Sequence, residues 1–190
     1  MVKGYKNRRT NVKEPKQTLV IVCEGQKTEP TYFENYRERN SGLIIFIPNS
    51  TVTDPENLTK LAKNQIRKYD LDISSGDQVW CVFDADHHTD QEIQQAKQLA
   101  GEEVNICLSN PSFELWYLLH FCYYDSRISN NDLINKLKQH IPNYQKNKNY
   151  FSELFAKRPD AIKFAKRLNK KHEDEGTDLL STNSNPSTQV

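Results

Sequence analysis

The sequence predicts an α/β fold: a three-layer α/β/α sandwich around a mostly parallel four-stranded sheet, with a helical C-terminal part. Three observations carry this. Short apolar runs rich in β-branched residues recur at 18–23, 43–47, 79–83 and 104–108 and read as strands. Between them, apolar residues return at helical spacing. Parallel strands need such crossovers, and helices then cover both faces of the sheet.

The first strand, Thr18 to Cys23, is apolar throughout, as expected of a strand buried on both faces, and Glu24-Gly25 ends it. A helix follows, with Pro30 in its first turn and Tyr32, Phe33 and Tyr36 on one side. Pro48 stops the second strand, Leu43 to Ile47. Asp54-Pro55 then reads as a helix cap and first residue, with Leu58, Leu61, Ala62 and Ile66 facing inward. The third strand is Val79 to Phe83. A helix over 90–100 turns Ile93, Ala96 and Leu99 inward, and Val104 to Leu108 forms the fourth strand. From about residue 111 the chain reads as mostly helical. At 190 residues it suits one compact domain over 17–175, flanked by a basic, flexible arm at 1–16 and a loose Ser/Thr/Asn/Pro-rich tail at 176–190.

Lys and Arg number 26 against 25 Asp and Glu, a formal net charge of +1, so bulk charge neither demands nor excludes nucleic acid. Its distribution says more. The arm and the segment 146–171 are both strongly basic, and either suits a phosphate backbone or a solvated surface. No apolar run approaches the ~20 residues that cross a bilayer, and no apolar core follows the basic start, so the expectation is a cytoplasmic protein with no membrane partner. Cys23, Cys81, Cys107 and Cys122 form no C-x-x-C pair, three of them lie in predicted strands, and the histidines lack zinc-ligand spacing, which argues against zinc.

Four constellations could carry chemistry. The first is Glu24-Gly25-Gln26-Lys27-Thr28-Glu29-Pro30 after strand one, where an acid and a turn-permitting glycine resemble a phosphate loop only weakly and alone suit an ordinary turn. Asp84-Ala85-Asp86 closes the third strand, and side chains two apart emerge on one side of a sheet. Such a pair can simply cap a helix. With Glu24 at the end of a neighbouring strand, however, three acids converge at the sheet edge where open α/β folds bind ligands. Unpaired, they repel; a hard cation such as Mg²⁺ resolves the cost. The following His87 and His88 read as polar loop residues. In Ser109-Asn110-Pro111-Ser112-Phe113-Glu114-Leu115-Trp116, proline suits a first helical turn, and Glu114 is an acid at the start of an apolar helix, favoured by the helix dipole or by a metal. His120 reads as a buried, hydrogen-bonded side chain. Finally, Tyr144-Gln145-Lys146-Asn147-Lys148-Asn149-Tyr150 interleaves aromatics with lysines, suiting either an exposed loop or a grip on phosphates and bases.

Taken together, Cys23-Glu24-Gly25-Gln26-Lys27-Thr28-Glu29-Pro30, Phe83-Asp84-Ala85-Asp86-His87, Ser109 to Trp116 and Asn185-Pro186-Ser187-Thr188 resemble the RloB-like family of bacterial restriction-modification and abortive-infection loci. That family is similar to Toprim domains, the α/β fold of topoisomerases, bacterial primases and overcoming-lysogenization-defect nucleases. The resemblance implies a glutamate after strand one, Glu24, and a D-x-D after strand three, Asp84 with Asp86, acting with Mg²⁺ or Mn²⁺. Two positions depart from Toprim usage: Thr28 stands where many loops carry a second acid, with Glu29 next to it, and His88 replaces a third aspartate. Glu114 would supply the missing acid. Members of the family often continue past the Asn-Pro-Ser-Thr block, near which this sequence ends.

The activity implied is metal-dependent endonucleolytic cleavage of DNA or RNA in phage defence. Asp84 and Asp86 would hold the metal, and Glu24 would share a second ion or act as general acid/base. Lys27, Asn110, Lys146 and Lys148 would contact the substrate. The implied partners are nucleic acid and an ABC/AAA-type ATPase encoded nearby, since this chain has no G-x-x-x-x-G-K-[ST] loop of its own. A homo-oligomer is compatible with the sequence. The competing reading is a non-catalytic Toprim-like subunit that binds metal or nucleotide as a sensor or assembly part.

Overall fold

In the computed structural model, residues 16–39 and 42–190 are described. The basic arm predicted at 1–16 therefore lies, except for Lys16, outside the described residues. A five-stranded sheet forms the centre: β1 (Gln17–Cys23), β2 (Leu43–Phe46), β3 (Gln78–Asp84), β4 (Asn105–Asn110) and β5 (Ser187–Thr188). The strand order is β2-β1-β3-β4-β5. The first four strands run parallel and β5 is antiparallel.

Alternation along each strand builds two separate cores. Ile21, Cys23, Val82 and Cys107 face one side of the sheet. Val20, Val22, Cys81, Phe83 and Leu108 face the other. On the second side α2 (Pro55–Lys68) contributes Leu58 and Ala62, and α3 (Asp90–Ala100) contributes Ile93 and Ala96. The first side carries α1 (Thr28–Arg39), α4 (Glu114–Leu119), α5 (Asn130–His140), α6 (Phe151–Phe155) and α7 (Arg158–Asp174). The three cysteines in β1, β3 and β4 are free and buried among these residues.

Local chemistry sets the helix starts. Asp54 accepts the Asn57 N–H at 2.7 Å with Pro55 as the first helical residue, so the predicted cap is the observed one. Thr89 and Glu92 close a capping box on α3. Pro111, expected in a first helical turn, instead lies in the connection, and α4 begins at Glu114. Here the backbone leaves β4 and forms a turn in which the Leu115 N–H bonds to the Ser112 carbonyl at 2.9 Å.

The largest correction concerns the C-terminal segment, expected to be loose. Ser187 and Thr188 add the fifth strand, pairing with Asn110 and Ser109. Around it, His172 Nε2 bonds to the Pro186 carbonyl at 2.8 Å, and Asp90 accepts the Thr182 N–H. Small hydroxyl side chains allow this: Ser109 with Thr188 (2.9 Å) and Ser184 with Ser187 (2.8 Å) pair their own polar groups inside the packing. A polar composition that suggests solvent is here consumed by internal hydrogen bonds.

Candidate functional site

The strand order reverses between β1 and β3, because β2 lies beyond one and β4 beyond the other. Such a switch point leaves a crevice outside the carboxyl ends of the strands. A cleft of about 310 Å³ opens there, lined by five carboxylic acids: Glu24, Glu29, Asp84, Asp86 and Glu114. Lys27, Lys146 and His87 line it too.

Glu24 and Asp84 are locked together. The Glu24 N–H bonds to the Val82 carbonyl at 2.9 Å, extending the pairing of β1 with β3, and the Asp84 N–H donates back to Glu24 Oε2 at 3.1 Å. His88 Nε2 meets Glu24 Oε1 at 3.3 Å. That hydrogen bond raises the His88 pKa against the lowering effect of burial. His88, read from sequence as a loop residue, is thus a mostly buried brace for Glu24.

Asp84 Oδ1 accepts the Phe113 N–H at 2.9 Å, tying β3 to the start of α4. Desolvation, followed by Glu29, Glu114, Asp86 and Glu24, pushes its pKa well above the usual carboxylate range. Asp86 lines the same cleft, accepts from Asn130 Nδ2 beside it, and pairs with His87 at 3.2 Å. Its pKa is raised by desolvation, with His87, Asn130 and Lys146 opposing.

Glu114 is only 2% exposed. Ser112 Oγ donates to its Oε2 at 2.8 Å, while Tyr144 Oη donates to Oε1 at 3.0 Å and Lys146 Nζ lies 3.5 Å from that oxygen. Burial works to lower the Lys146 pKa, but Glu114, Asp84 and Asp86 outweigh it and the pKa rises. Lys146 is therefore the cation set among the acids.

Glu29 explains the glycine before it. A Cβ at Gly25 would collide with the Glu29 carboxyl group, so only glycine lets that side chain fold back against the β1 turn. There Glu29 is 6% exposed, and desolvation, with Glu114 and Glu24 adding, raises its pKa to about 7.

Other predicted contacts fall elsewhere. Asn110 is buried, and its amide donates to the Ser181 and Thr182 carbonyls, both at 3.1 Å, which makes it a clamp on the C-terminal segment and not part of the cleft lining. Lys148 is exposed and does not line the cleft. Tyr144 and Tyr150 are 4% and 7% exposed, so of the aromatic–lysine segment only Lys146 and Asn147 reach the cleft. His120 is buried, as expected, and its Nδ1 bonds to the Trp116 carbonyl at 2.8 Å.

Among the described residues, no three His, Cys, Asp or Glu side chains form a ready-made metal cage. Glu24, Asp84, Asp86 and Glu114 are each held by protein donors at their own positions. The donor chemistry nonetheless fits a hard divalent cation, because Mg²⁺ commonly takes only one or two carboxylates and keeps several waters. Glu24, Asp84 and Asp86, which all line the cleft, would be the residues to hold it.

Among the described residues, no helix is long and apolar enough to cross a membrane. No curated protein and no solved structure matches the chain. A family model described as RloB-like protein matches residues 19–190, nearly the whole length, and the chain accordingly belongs to the RloB-like family.

Proposed function

We propose that this protein is a Toprim-like, Mg²⁺- or Mn²⁺-dependent nuclease of a bacterial phage-defence system, cleaving DNA or RNA phosphodiesters alongside a separate ATPase. One observation carries the reading: five acids from three separate segments line one cleft at the carboxyl ends of the strands, with burial and mutual repulsion raising the pKa of Glu29, Asp84 and Asp86. Charges arranged this way are costly unless protons or cations neutralise them.

Asp84 and Asp86 would hold the ion, with Glu24 beside them. A bound divalent cation supplies charge stabilisation at the phosphoryl oxygens and lowers the pKa of its water. The rest is the work of this chain. His88 and the Asp84 N–H fix both oxygens of Glu24. The Phe113 N–H orients Asp84. Lys146, anchored on Glu114, and Lys27 bring positive charge to the same cleft for the substrate phosphate. Glu29, with its pKa near neutrality, is placed to exchange a proton at the cleft wall.

The test compares wild type with Asp84→Asn and Asp86→Asn on labelled DNA and RNA in Mg²⁺ or Mn²⁺, with the ATPase present. Loss of cleavage in both variants is expected; unchanged cleavage ends the reading. Metal binding by wild type without turnover reassigns the protein to a sensor or assembly role.

A further inference from the structure

The acidic cleft does not end at Asp86. Beyond that carboxylate a second, polar hollow of about 350 Å³ opens, lined by Pro111, Arg127, Ile128, Ser129, Asn130 and Asn185, and Asp86 lines both spaces.

The turn carrying Arg127 is held firmly from the C-terminal segment. Asn185 Oδ1 accepts the Ile128 N–H at 2.9 Å, and its Nδ2 donates to the Ile128 carbonyl at 3.0 Å. Asn130, on the other side of the turn, donates to Asp86. Arg127 itself is exposed, and among the described residues nothing pairs with its guanidinium. Lys146, by contrast, is already engaged by Glu114. The α5 end is also self-satisfied, since Ser129 Oγ donates to the Asp132 carboxylate at 2.7 Å and accepts its N–H at 3.2 Å. The free positive charge of the hollow is therefore the guanidinium.

We propose that this hollow is a subsite for the phosphate next to the scissile one, with Arg127 as its counter-charge. The inference rests on the nuclease reading and adds a direction to it. A polynucleotide would run from the cleft, where Lys27 and Lys146 stand among the acids, past Asp86 to Arg127. A guanidinium suits that task, since it meets a phosphate with two parallel N–H donors. The acids of the cleft repel every phosphate except one seated on a cation, so a strand that continues past Asp86 needs positive charge beyond it as well.

The experiment measures fluorescence anisotropy of short single-stranded DNA and RNA of one sequence, with Ca²⁺ replacing Mg²⁺ to keep the strand intact, across a salt series. Wild type, Arg127→Ala and Arg127→Lys are compared after their melting temperatures are matched. Arg127→Ala is expected to weaken binding roughly ten-fold, the scale of one charged hydrogen-bonded contact. The slope of log affinity against log salt should fall by about 0.7, the value of one phosphate contact on a single strand. Arg127→Lys should keep the slope. Weakening with only one polymer supports the subsite and identifies that polymer as the ligand. If wild type binds and Arg127→Ala matches it in affinity and slope, the subsite is wrong and the nuclease reading stands. If wild type binds neither polymer, the nuclease reading falls and the subsite falls with it.

Discussion

Replacing Glu29 with glutamine should make the metal-free protein more stable at alkaline pH. In the folded state this carboxyl group has a pKa of about 7 against an ordinary 4.5, with burial as the main cause. Each tenfold change in proton affinity is worth about 1.4 kcal/mol, so the gap amounts to about 3 kcal/mol. The sign follows from proton counting. Below pH 4.5 both folded and unfolded chains hold the proton and no penalty exists. Between 4.5 and about 7 the unfolded chain releases it first, so stability falls as pH rises; above 7 the full loss is present. Glu29→Gln keeps the volume and an amide acceptor but carries no proton to lose. At pH 8 in EDTA it should exceed wild type by up to about 3 kcal/mol, or roughly 6–12 °C in melting temperature for a chain of this size. At pH 4 the two should coincide. Urea and thermal denaturation at both pH values measure this. A variant that is equally or less stable at pH 8 refutes the argument that Glu29 is a buried acid under electrostatic load.

Three further substitutions test neighbouring parts of the account. Gly25→Ala should displace the Glu29 side chain, and its cost should shrink in a Gly25→Ala, Glu29→Ala double variant; a coupling above about 1 kcal/mol is expected in a double-mutant cycle. Tyr144→Phe removes a donor from the buried Glu114 carboxylate and should cost about 2 kcal/mol in urea unfolding at neutral pH. Asn110→Ala should lower stability by about 1–3 kcal/mol through the C-terminal segment, leaving Mg²⁺ affinity unchanged in calorimetry. Weakened Mg²⁺ affinity at unchanged stability would place Asn110 in the site after all.

The parts that sequence made legible are those governed by short-range chemistry. The four parallel strands follow from apolar runs, and α2 from Asp54-Pro55. Glu24, Asp84, Asp86 and Glu114 were visible because acids are conspicuous where apolar runs end or begin, and all four line one cleft. What escaped depends on contacts distant along the chain. β5 has only two residues, too few to carry a period, and it exists because Ser109 and Asn110 offer an edge nearly eighty positions away. His88 was legible as a loop residue but not as a brace, because its partner Glu24 follows a strand far away along the chain. Tyr144 suited either an exposed loop or a stacked base, whereas it is buried with its hydroxyl committed to Glu114. The one local clue available was Gly25 four residues before Glu29, a spacing in which a missing side chain makes room for a carboxyl group.

Calorimetric titration of Mg²⁺ and Mn²⁺ into wild type and Asp84→Asn at pH 8 reaches the centre of the account most directly. Saturable binding by wild type that disappears in Asp84→Asn is the predicted result. Wild type that takes up neither ion, or a variant that binds as wild type does, would contradict it.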